Sequence, residues 1–265
     1  MGIYLFELKT IRKNTVIWAI TLSAVCVLFM SIYPAYASNK EAVREMLKGF
    51  PPELISAFGI NVDNLFSVLG FYSFVFVYIV FCGAVQAGNL GIGMISRESR
   101  AKTADFLLTK PIQRKTVLTA KLLASLTSLV FTNIVYLVAS TVFCLTIKNT
   151  EFDTKALVLL SLTLFFVQLV FVSIGTLLGI VFQKVKSVVT TSLCLTFAFF
   201  ALSMLDSFID KDLLQYITPF KYFDSTEIIK NLSYQPSSLL TVLAVCAVCI
   251  FASYLLYIKK DVHAV

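Results

Sequence analysis

Apolar residues are gathered into six long runs separated by shorter polar stretches. The runs are Thr15–Tyr36, Val68–Ile95, Leu122–Ile147, Ala156–Phe182, Ser187–Leu205 and Leu239–Ile258. A helix needs about 20 mainly apolar residues to cross the hydrocarbon core of a bilayer. Each run is close to that length or longer, and none contains Asp, Glu, Lys, Arg or His. The pattern therefore predicts an all-α, polytopic membrane protein with six transmembrane helices.

The composition supports this prediction and argues against a soluble domain. Hydrophobic residues make up 58% of the chain and charged residues 14%. Soluble domains contain about 45–50% apolar and about 25% charged residues. We find no internal repeat, low-complexity tract or linker, and the connections between runs are too short for a soluble domain. We therefore interpret residues 1–265 as a single transmembrane domain.

The distribution of charge predicts the orientation of the chain. With six spans, both termini lie on the same side of the membrane. That side would carry 14 of the 22 Lys and Arg residues and only four of the 15 acidic residues. The positive-inside rule then places both termini in the cytoplasm, as for a multi-pass protein of a plasma membrane. Most of the net charge of +7 comes from the basic residues on this side of the membrane. Basic residues beside the spans favour anionic lipid headgroups, so the positive charge does not imply binding to nucleic acid.

Two polar segments are predicted to lie at the membrane surface. Residues 1–14 mix apolar and charged positions, which favours a short interfacial helix on the inner leaflet over a solvated start of the first span. Residues 206–238 alternate aromatic or aliphatic positions with acidic ones. Unpaired backbone cannot enter lipid, so we expect an outer re-entrant helical hairpin that bends at Pro219.

A glycine-rich stretch has the spacing of a phosphate-binding loop but lacks its chemistry. Gly88 and Gly93 are five residues apart, yet Met94 and Ile95 follow where a Lys and a Ser or Thr are needed. The stretch also lies inside an apolar run. Close helix packing through small residues explains it better, as it does Gly175 and Gly179 in the fourth run. No nucleotide site is predicted in this chain.

Metal and acid–base chemistry have few candidates. His263 is the single histidine, and all six cysteines lie inside apolar runs, where they are typical small packing residues. We expect no metal, no bound cofactor and no catalytic residue. The uncharged polar side chains of the spans are either helix–helix hydrogen-bonding groups, which we favour, or contacts along a substrate pathway. The candidates are Gln86, Asn89, Asn133 and Gln168.

One basic segment, residues 96–121, stands out among the connections. It contains seven Lys or Arg residues and two acids. An ordinary juxtamembrane loop that obeys the positive-inside rule would account for the basic residues. It would not account for the adjacent Phe106, Leu107 and Leu108, because three exposed apolar residues need a covering surface. The segment therefore predicts a short amphipathic helix that docks on another protein.

This segment resembles the permease subunits of type-2 ATP-binding-cassette (ABC) exporters. In those permeases a Glu precedes a Thr-x-Glu-Phe-Leu-Leu-like core, which is followed by a Pro, a basic residue and a Lys. The matching residues are Glu98, Thr103, Phe106, Leu107, Leu108, Pro111, Arg114 and Lys121. Asp105 stands where Glu is usual, and Lys102 stands where Gly is usual. The predicted order of helices agrees with that family over nearly the whole chain.

The resemblance implies a function for the segment. It would be the cytoplasmic coupling helix, seated in a groove of an ABC ATPase. Phe106, Leu107 and Leu108 would fill the groove, and polar contacts would surround it. The residues implied in this coupling are Glu98, Thr103, Asp105, Phe106, Leu107, Leu108, Pro111, Arg114 and Lys115.

The resemblance also implies partners. Two ABC ATPase subunits would bind ATP and Mg, since this chain is not itself an enzyme. Six spans form half a transporter, so a second copy or a paralogue would complete a homo- or heterodimer in the lipid. We expect an exporter of amphipathic cargo, such as an antimicrobial peptide, a drug or a lipid-like molecule, in a bacterial plasma membrane.

Two other functions are also compatible with the sequence. A non-transporting immunity or sensor subunit could use the same coupling helix with an ATPase. An ion-coupled secondary transporter is less favoured, because such proteins usually carry ionisable groups within the membrane and are built from repeats.

Overall fold

The computed structural model describes residues 2–51, 54–55, 60, 64–101, 113–147, 152–182, 185–205 and 217–259, with side chains of the third helix described up to Arg97. Over these residues eight α-helices follow one another, and a 3-10 helix, Pro219–Lys221, precedes α7. The helices are α1 Gly2–Ser38, α2 Lys40–Lys48, α3 Val68–Ala101, α4 Arg114–Thr146, α5 Thr154–Val181, α6 Val188–Leu205, α7 Ser225–Asn231 and α8 Pro236–Lys259.

Six of these helices are long and apolar enough to cross a membrane, namely α1, α3, α4, α5, α6 and α8. Each coincides with one of the apolar runs, and the described residues contain no β-strand. The prediction of an all-α, polytopic membrane protein with six transmembrane helices is confirmed. Charged residues sit in the first or last turns of several of these helices, which therefore extend beyond the apolar runs.

Helices α3 and α5 form the centre of the bundle. In the most apolar part of α3, 67% of the residues are buried, and in that of α5, 61% are buried. The corresponding share is 11–28% in the other four spans. These two helices also make the most extensive pairing, followed by α1 with α4. Helix α8 packs on α5, and α6 packs on α3. The outer faces of α1, α4, α6 and α8 carry exposed large apolar side chains, as lipid-facing or partner-facing surfaces do.

Glycines allow α3 and α5 to approach closely. A Cβ atom added to Gly91 would lie 2.5 Å from the carbonyl oxygen of Val172, which is closer than real atoms come. A Cβ added to Gly175 would lie 3.0 Å from the carbonyl oxygen of Gly88, and one added to Gly179 would lie 3.2 Å from the Cα atom of Ile92. The prediction that the Gly88–Gly93 and Gly175–Gly179 stretches serve close helix packing is therefore confirmed.

The start of the chain differs from expectation. The separate interfacial helix predicted over residues 1–14 is not present as its own element, because α1 continues through Thr15 to Ser38 without a break. No proline occurs before Pro34, and Thr15 Oγ1 donates to the carbonyl oxygen of Ile11 within the continuous helix. A helix of 37 residues is about 56 Å long, far more than the ~30 Å hydrocarbon core, so its ends must project beyond that core.

The segment before α8 is described from residue 217 onward. Pro219, where the bend of the hairpin was predicted, begins the 3-10 helix. Asp224 caps α7 by accepting a hydrogen bond from the backbone N–H of Thr226 at 2.7 Å. Phe166 of α5 holds this segment through ring contacts with Phe223 and Tyr234, with centroids 5.6 and 5.5 Å away. Residues 206–216 of the predicted hairpin lie outside the described residues, and its insertion into the outer interface stays a prediction.

We expect Gly91→Ala to destabilise the bundle. The added methyl would meet the backbone of α5 and force the two central helices apart, and overpacking of this kind costs about 1–3 kcal/mol. The measurement is the thermal stability of the purified protein in detergent.

Gly93→Ala is the matched control. Its Cβ would lie 3.5 Å from the Val188 side chain, an ordinary contact. Both substitutions gain the same helix propensity, so the control should equal or slightly exceed the wild type. Equal melting temperatures for the two variants would contradict the close-packing account.

Candidate functional site

The predicted coupling segment is described only at its two ends. Residues 102–112 lie outside the described residues, and with them six of the predicted coupling residues. These are Thr103, Asp105, Phe106, Leu107, Leu108 and Pro111. Glu98 lies in the last turn of α3, where its side chain is also outside the description. Arg114 and Lys115 are the first two residues of α4.

Arg114 connects the start of α4 to the end of α8. Its Nη1 donates a hydrogen bond to the carbonyl oxygen of Ile258 at 3.3 Å. The last carbonyl groups of a helix lack intrahelical partners and carry partial negative charge, so a cation is favourable there. One turn further along, the hydroxyls of Thr119 and Tyr254 are 2.7 Å apart. Lys115 is exposed.

A buried cluster of charges lies beside these helix ends, and we call Glu7, Arg97 and Lys121 the Glu7 cluster. Glu7 Oε1 accepts a hydrogen bond from Lys121 Nζ at 2.8 Å, and Glu7 Oε2 accepts one from Arg97 Nη1 at 3.1 Å. Lys121 Nζ also donates to the carbonyl oxygen of Met94 at 2.9 Å. The cluster therefore joins α1, α3 and α4 through one carboxylate.

The three charged side chains of the Glu7 cluster differ in how far they are buried. The side chains of Lys121 and Glu7 are 1% and 7% exposed, whereas that of Arg97 is 33% exposed. Charges removed from water lose hydration, which only close opposite charges and further hydrogen bonds can offset. Lys121 therefore depends on protein partners, while Arg97 can also be hydrated.

Sequence reasoning did not identify the Glu7 cluster as a site. It treated Glu7 as part of an interfacial helix and Lys121 as a residue of the family motif, and it did not pair them. A signal was nevertheless present. Glu7 is in phase with Ile11, Thr15 and Ala19, the buried stripe of α1. Lys121 is likewise in phase with the buried positions of α4, so helical periodicity places both charges inside the bundle.

A second polar cluster lies deep in the bundle, where α3, α4 and α5 meet. Gln86 Nε2 donates to Thr132 Oγ1 at 2.9 Å, and Gln168 Nε2 donates to Gln86 Oε1 at 3.2 Å. Asn133 Nδ2 donates to Gln168 Oε1 at 2.6 Å. Gln86, Thr132 and Gln168 are fully buried. We call Gln86, Thr132, Asn133 and Gln168 the amide cluster.

The fourth polar candidate of the spans also bonds between helices. Asn89 Oδ1 of α3 accepts a hydrogen bond from Ser192 Oγ of α6 at 2.8 Å. All four candidates therefore make the helix–helix hydrogen bonds that the sequence favoured. Their alternative role along a substrate pathway stays a prediction. Gln86 and Gln168 are fully buried in this arrangement of the helices.

The opposite end of the bundle carries a shallow surface pocket of about 160 Å³. Asp224, Glu227 and Gln235 contribute to its lining. Tyr234 also lines it, and burial raises the pKa of this tyrosine to about 12, while a hydrogen bond with Thr163 partly opposes that rise. Over the part of the chain that the structure describes, no three His, Cys, Asp or Glu residues are grouped so that they could hold a metal ion.

The architecture defines a polytopic membrane protein whose polar side chains connect its helices to one another. A family model described as an ABC-2 family transporter protein matches residues 1–262. The chain belongs to this family, and the resemblance drawn from residues 97–121 is confirmed. It is thus a membrane subunit of an ABC transporter, a class of permease that associates with ABC ATPase subunits. No curated protein matches the chain.

We expect Glu7→Gln to destabilise the protein strongly. The substitution removes a negative charge that faces two cations, one of them fully buried, and breaking a buried ion pair by removing one partner costs about 3–5 kcal/mol. The measurement is the thermal stability of the purified variant. Glu45→Gln is the control, because Glu45 is an exposed acid of α2 and its loss should change stability by no more than about 0.5 kcal/mol. An equally small effect at Glu7 would mean that its charge contributes little.

Gln168→Leu should weaken the packing of α3, α4 and α5. It leaves Gln86 Oε1 without the Gln168 donor and Asn133 Nδ2 without the Gln168 acceptor. Hydrogen bonds between membrane helices are worth about 0.6–1.7 kcal/mol each, so we expect a loss of about 1–2 kcal/mol. Unfolding in mixed detergent measures it, and an unchanged midpoint would show that the amide cluster does not stabilise the bundle.

Proposed function

We propose that this chain is the permease half of an ATP-driven exporter that moves an amphipathic cargo out of a bacterial cell. Two ABC ATPase subunits would bind ATP and Mg and supply the energy. A second copy of the chain, or a paralogue, would complete the transport path. The chain itself would bind no cofactor and carry no catalytic residue. The observation that carries the proposal is the family match over residues 1–262, together with the coupling motif of residues 97–121.

The position of the coupling motif supports the proposal. The segment connects α3 to α4, the helices that meet at the Glu7 cluster and the amide cluster. Arg114, at the end of the segment, is hydrogen-bonded to the end of α8. A force applied by an ATPase to residues 102–112 would therefore act on several helices. Phe106, Leu107 and Leu108 would enter the ATPase groove, and Glu98, Asp105, Arg114 and Lys115 would make polar contacts around it.

Charge supports the orientation. Soluble ATPases meet ATP in the cytoplasm, so the coupling segment must face that side. The connection from α3 to α4 is the most basic one in the chain, as the positive-inside rule requires of a cytoplasmic loop. Both termini would then be cytoplasmic as well.

The surface of the bundle supports an amphipathic cargo and a second permease. The spanning helices expose large apolar side chains such as Ile20, Leu243 and Phe251, which require lipid or another helix as neighbour. The apolar runs contain no charged group that would bind a small hydrophilic ion. A cargo passing between two such halves would meet mainly apolar surface. It would find hydrogen-bonding groups at Gln86, Asn89, Asn133 and Gln168 as the helices part.

Co-purification with candidate ATPases tests the coupling-helix role. We expect the wild-type chain to retain an ABC ATPase and the variant Phe106→Asp/Leu107→Asp to lose it, since two carboxylates would have to be buried in an apolar groove. Both proteins must insert into membranes at the same level for the comparison to count.

The matched control for that experiment is Met46→Asp. Met46 is 60% exposed on α2, at the opposite end of the bundle, so a carboxylate there should leave ATPase binding unchanged. Equal ATPase binding by the Phe106/Leu107 variant and the wild type would contradict the coupling-helix proposal. Absence of any ATPase from the wild type would contradict the permease-half proposal itself.

A further inference from the structure

The two cations of the Glu7 cluster lie on either side of residues 102–112 along the chain. Arg97 precedes these residues, in α3, and Lys121 follows them, in α4. Both bind the one carboxylate of Glu7. We propose that Glu7 is a positioning residue that makes α1 move with α4 when an ATPase displaces the coupling segment. This inference rests on the proposed function of that segment.

The packing of the helices favours α1 as the element that receives this motion. Helix α4 has far more extensive contacts with α1 than with α3. Helix α1 also packs on α3, so it bridges the two helices that the segment joins. A displacement of the segment relative to the bundle is therefore felt first where α1 meets α4. Glu7 lies at this contact.

The two contacts of Glu7 differ in how easily they separate. Lys121 is shielded from water, so its ammonium group loses charge compensation if it moves away from Glu7. Arg97 is one-third exposed, so water can replace Glu7 as its partner. The pair of Glu7 and Lys121 thus keeps α1 and α4 together, whereas the contact with Arg97 can open. The end of α3 can then shift relative to the other two helices.

A second contact on the same face extends this connection into the bundle. Thr15 Oγ1 of α1 and Ser128 Oγ of α4 are 2.6 Å apart and buried. The carbonyl oxygen of Ser128 accepts a hydrogen bond from Thr132 Oγ1, which in turn accepts one from Gln86. The amide cluster joins α4 to the central helices α3 and α5. A movement of α1 together with α4 would therefore act directly on this cluster.

The single tryptophan of the chain provides a reporter. Trp18 lies on α1, eleven residues beyond Glu7, and packs partly buried against the core. We would label the permease alone with 5-fluorotryptophan and assemble it with the unlabelled ATPase retained in the co-purification. The ¹⁹F resonance of Trp18 would then be recorded without nucleotide and with ATP bound to a hydrolysis-deficient ATPase. We expect ATP to shift this resonance in the wild-type complex.

The informative variant is Glu7→Gln/Lys121→Met. It removes both charges together, so it leaves no unpaired buried charge, which is the reason that loss of a single partner is costly. We expect it to bind the ATPase and to match the wild-type melting temperature, but to lose the ATP-induced shift. Lys9→Met, which removes an exposed charge from the same helix, should keep the shift.

Three outcomes would overturn the proposal. These are a full ATP-induced shift in the double variant, a wild-type complex that binds the ATPase but shows no shift, and loss of the shift in Lys9→Met. If the double variant does not fold, Glu7→Asp replaces it. That variant keeps the charge and shortens the side chain by one methylene, and it should fold and lose most of the shift. A shift of wild-type size in Glu7→Asp would also contradict the proposal. Failure of the coupling-helix role is distinguishable, because the Phe106→Asp/Leu107→Asp variant would then retain the ATPase as well as the wild type does.

Discussion

Polar groups inside a membrane must find their partners within the protein, because hydrocarbon offers none. This constraint explains why every described spanning segment is a helix, since a helix pairs its own backbone groups. It also explains why each Asn and Gln side chain of the apolar runs bonds to a partner on a neighbouring helix. The amide cluster joins three helices, and Asn89 pairs with Ser192 between α3 and α6. In each case a polar group on one helix needs a hydrogen-bonding partner that a neighbouring helix supplies.

The same constraint acts most strongly on the Glu7 cluster. A carboxylate at 7% exposure and an ammonium group at 1% exposure require each other far more than two amides do. Their pairing determines where the first turns of α1 lie, and it draws those turns onto α4. An apolar contact at this place would hold the helices equally well, but it would tolerate sliding. A charge pair with further hydrogen bonds specifies one arrangement, and it lies where the proposed coupling segment enters α4.

The centre of the bundle has a different physical basis. Helices α3 and α5 approach until backbone meets backbone, so van der Waals contact between them adds to the hydrogen bond from Gln168 to Gln86. The outer spans pack around this pair with one face each and leave the other face apolar and exposed.

Much of the architecture follows from local properties of the sequence. The six spans, the helical class and the family are visible in the apolar runs and in the motif of residues 97–121, because span length and residue type need no knowledge of neighbours. The packing role of Gly88–Gly93 and Gly175–Gly179 was also predicted, since small residues in a membrane helix have few other uses. The coupling role of all nine residues named for it, including Glu98, Arg114 and Lys115, remains a prediction, as does the role of the four polar candidates as substrate contacts.

The sequence by itself therefore determined the elements of this protein, their number and their class. Only the tertiary structure decided which residues meet. Glu7 and Lys121 are 114 positions apart, and no local pattern in the sequence predicts that they contact each other and Arg97. The physical reason is that the partner of a buried charge depends on the lateral order and rotation of the helices. The order and rotation of the helices are set by packing over the whole bundle. The apolar runs leave out Glu7, Arg97 and Lys121, so hydropathy does not reveal that these charges meet.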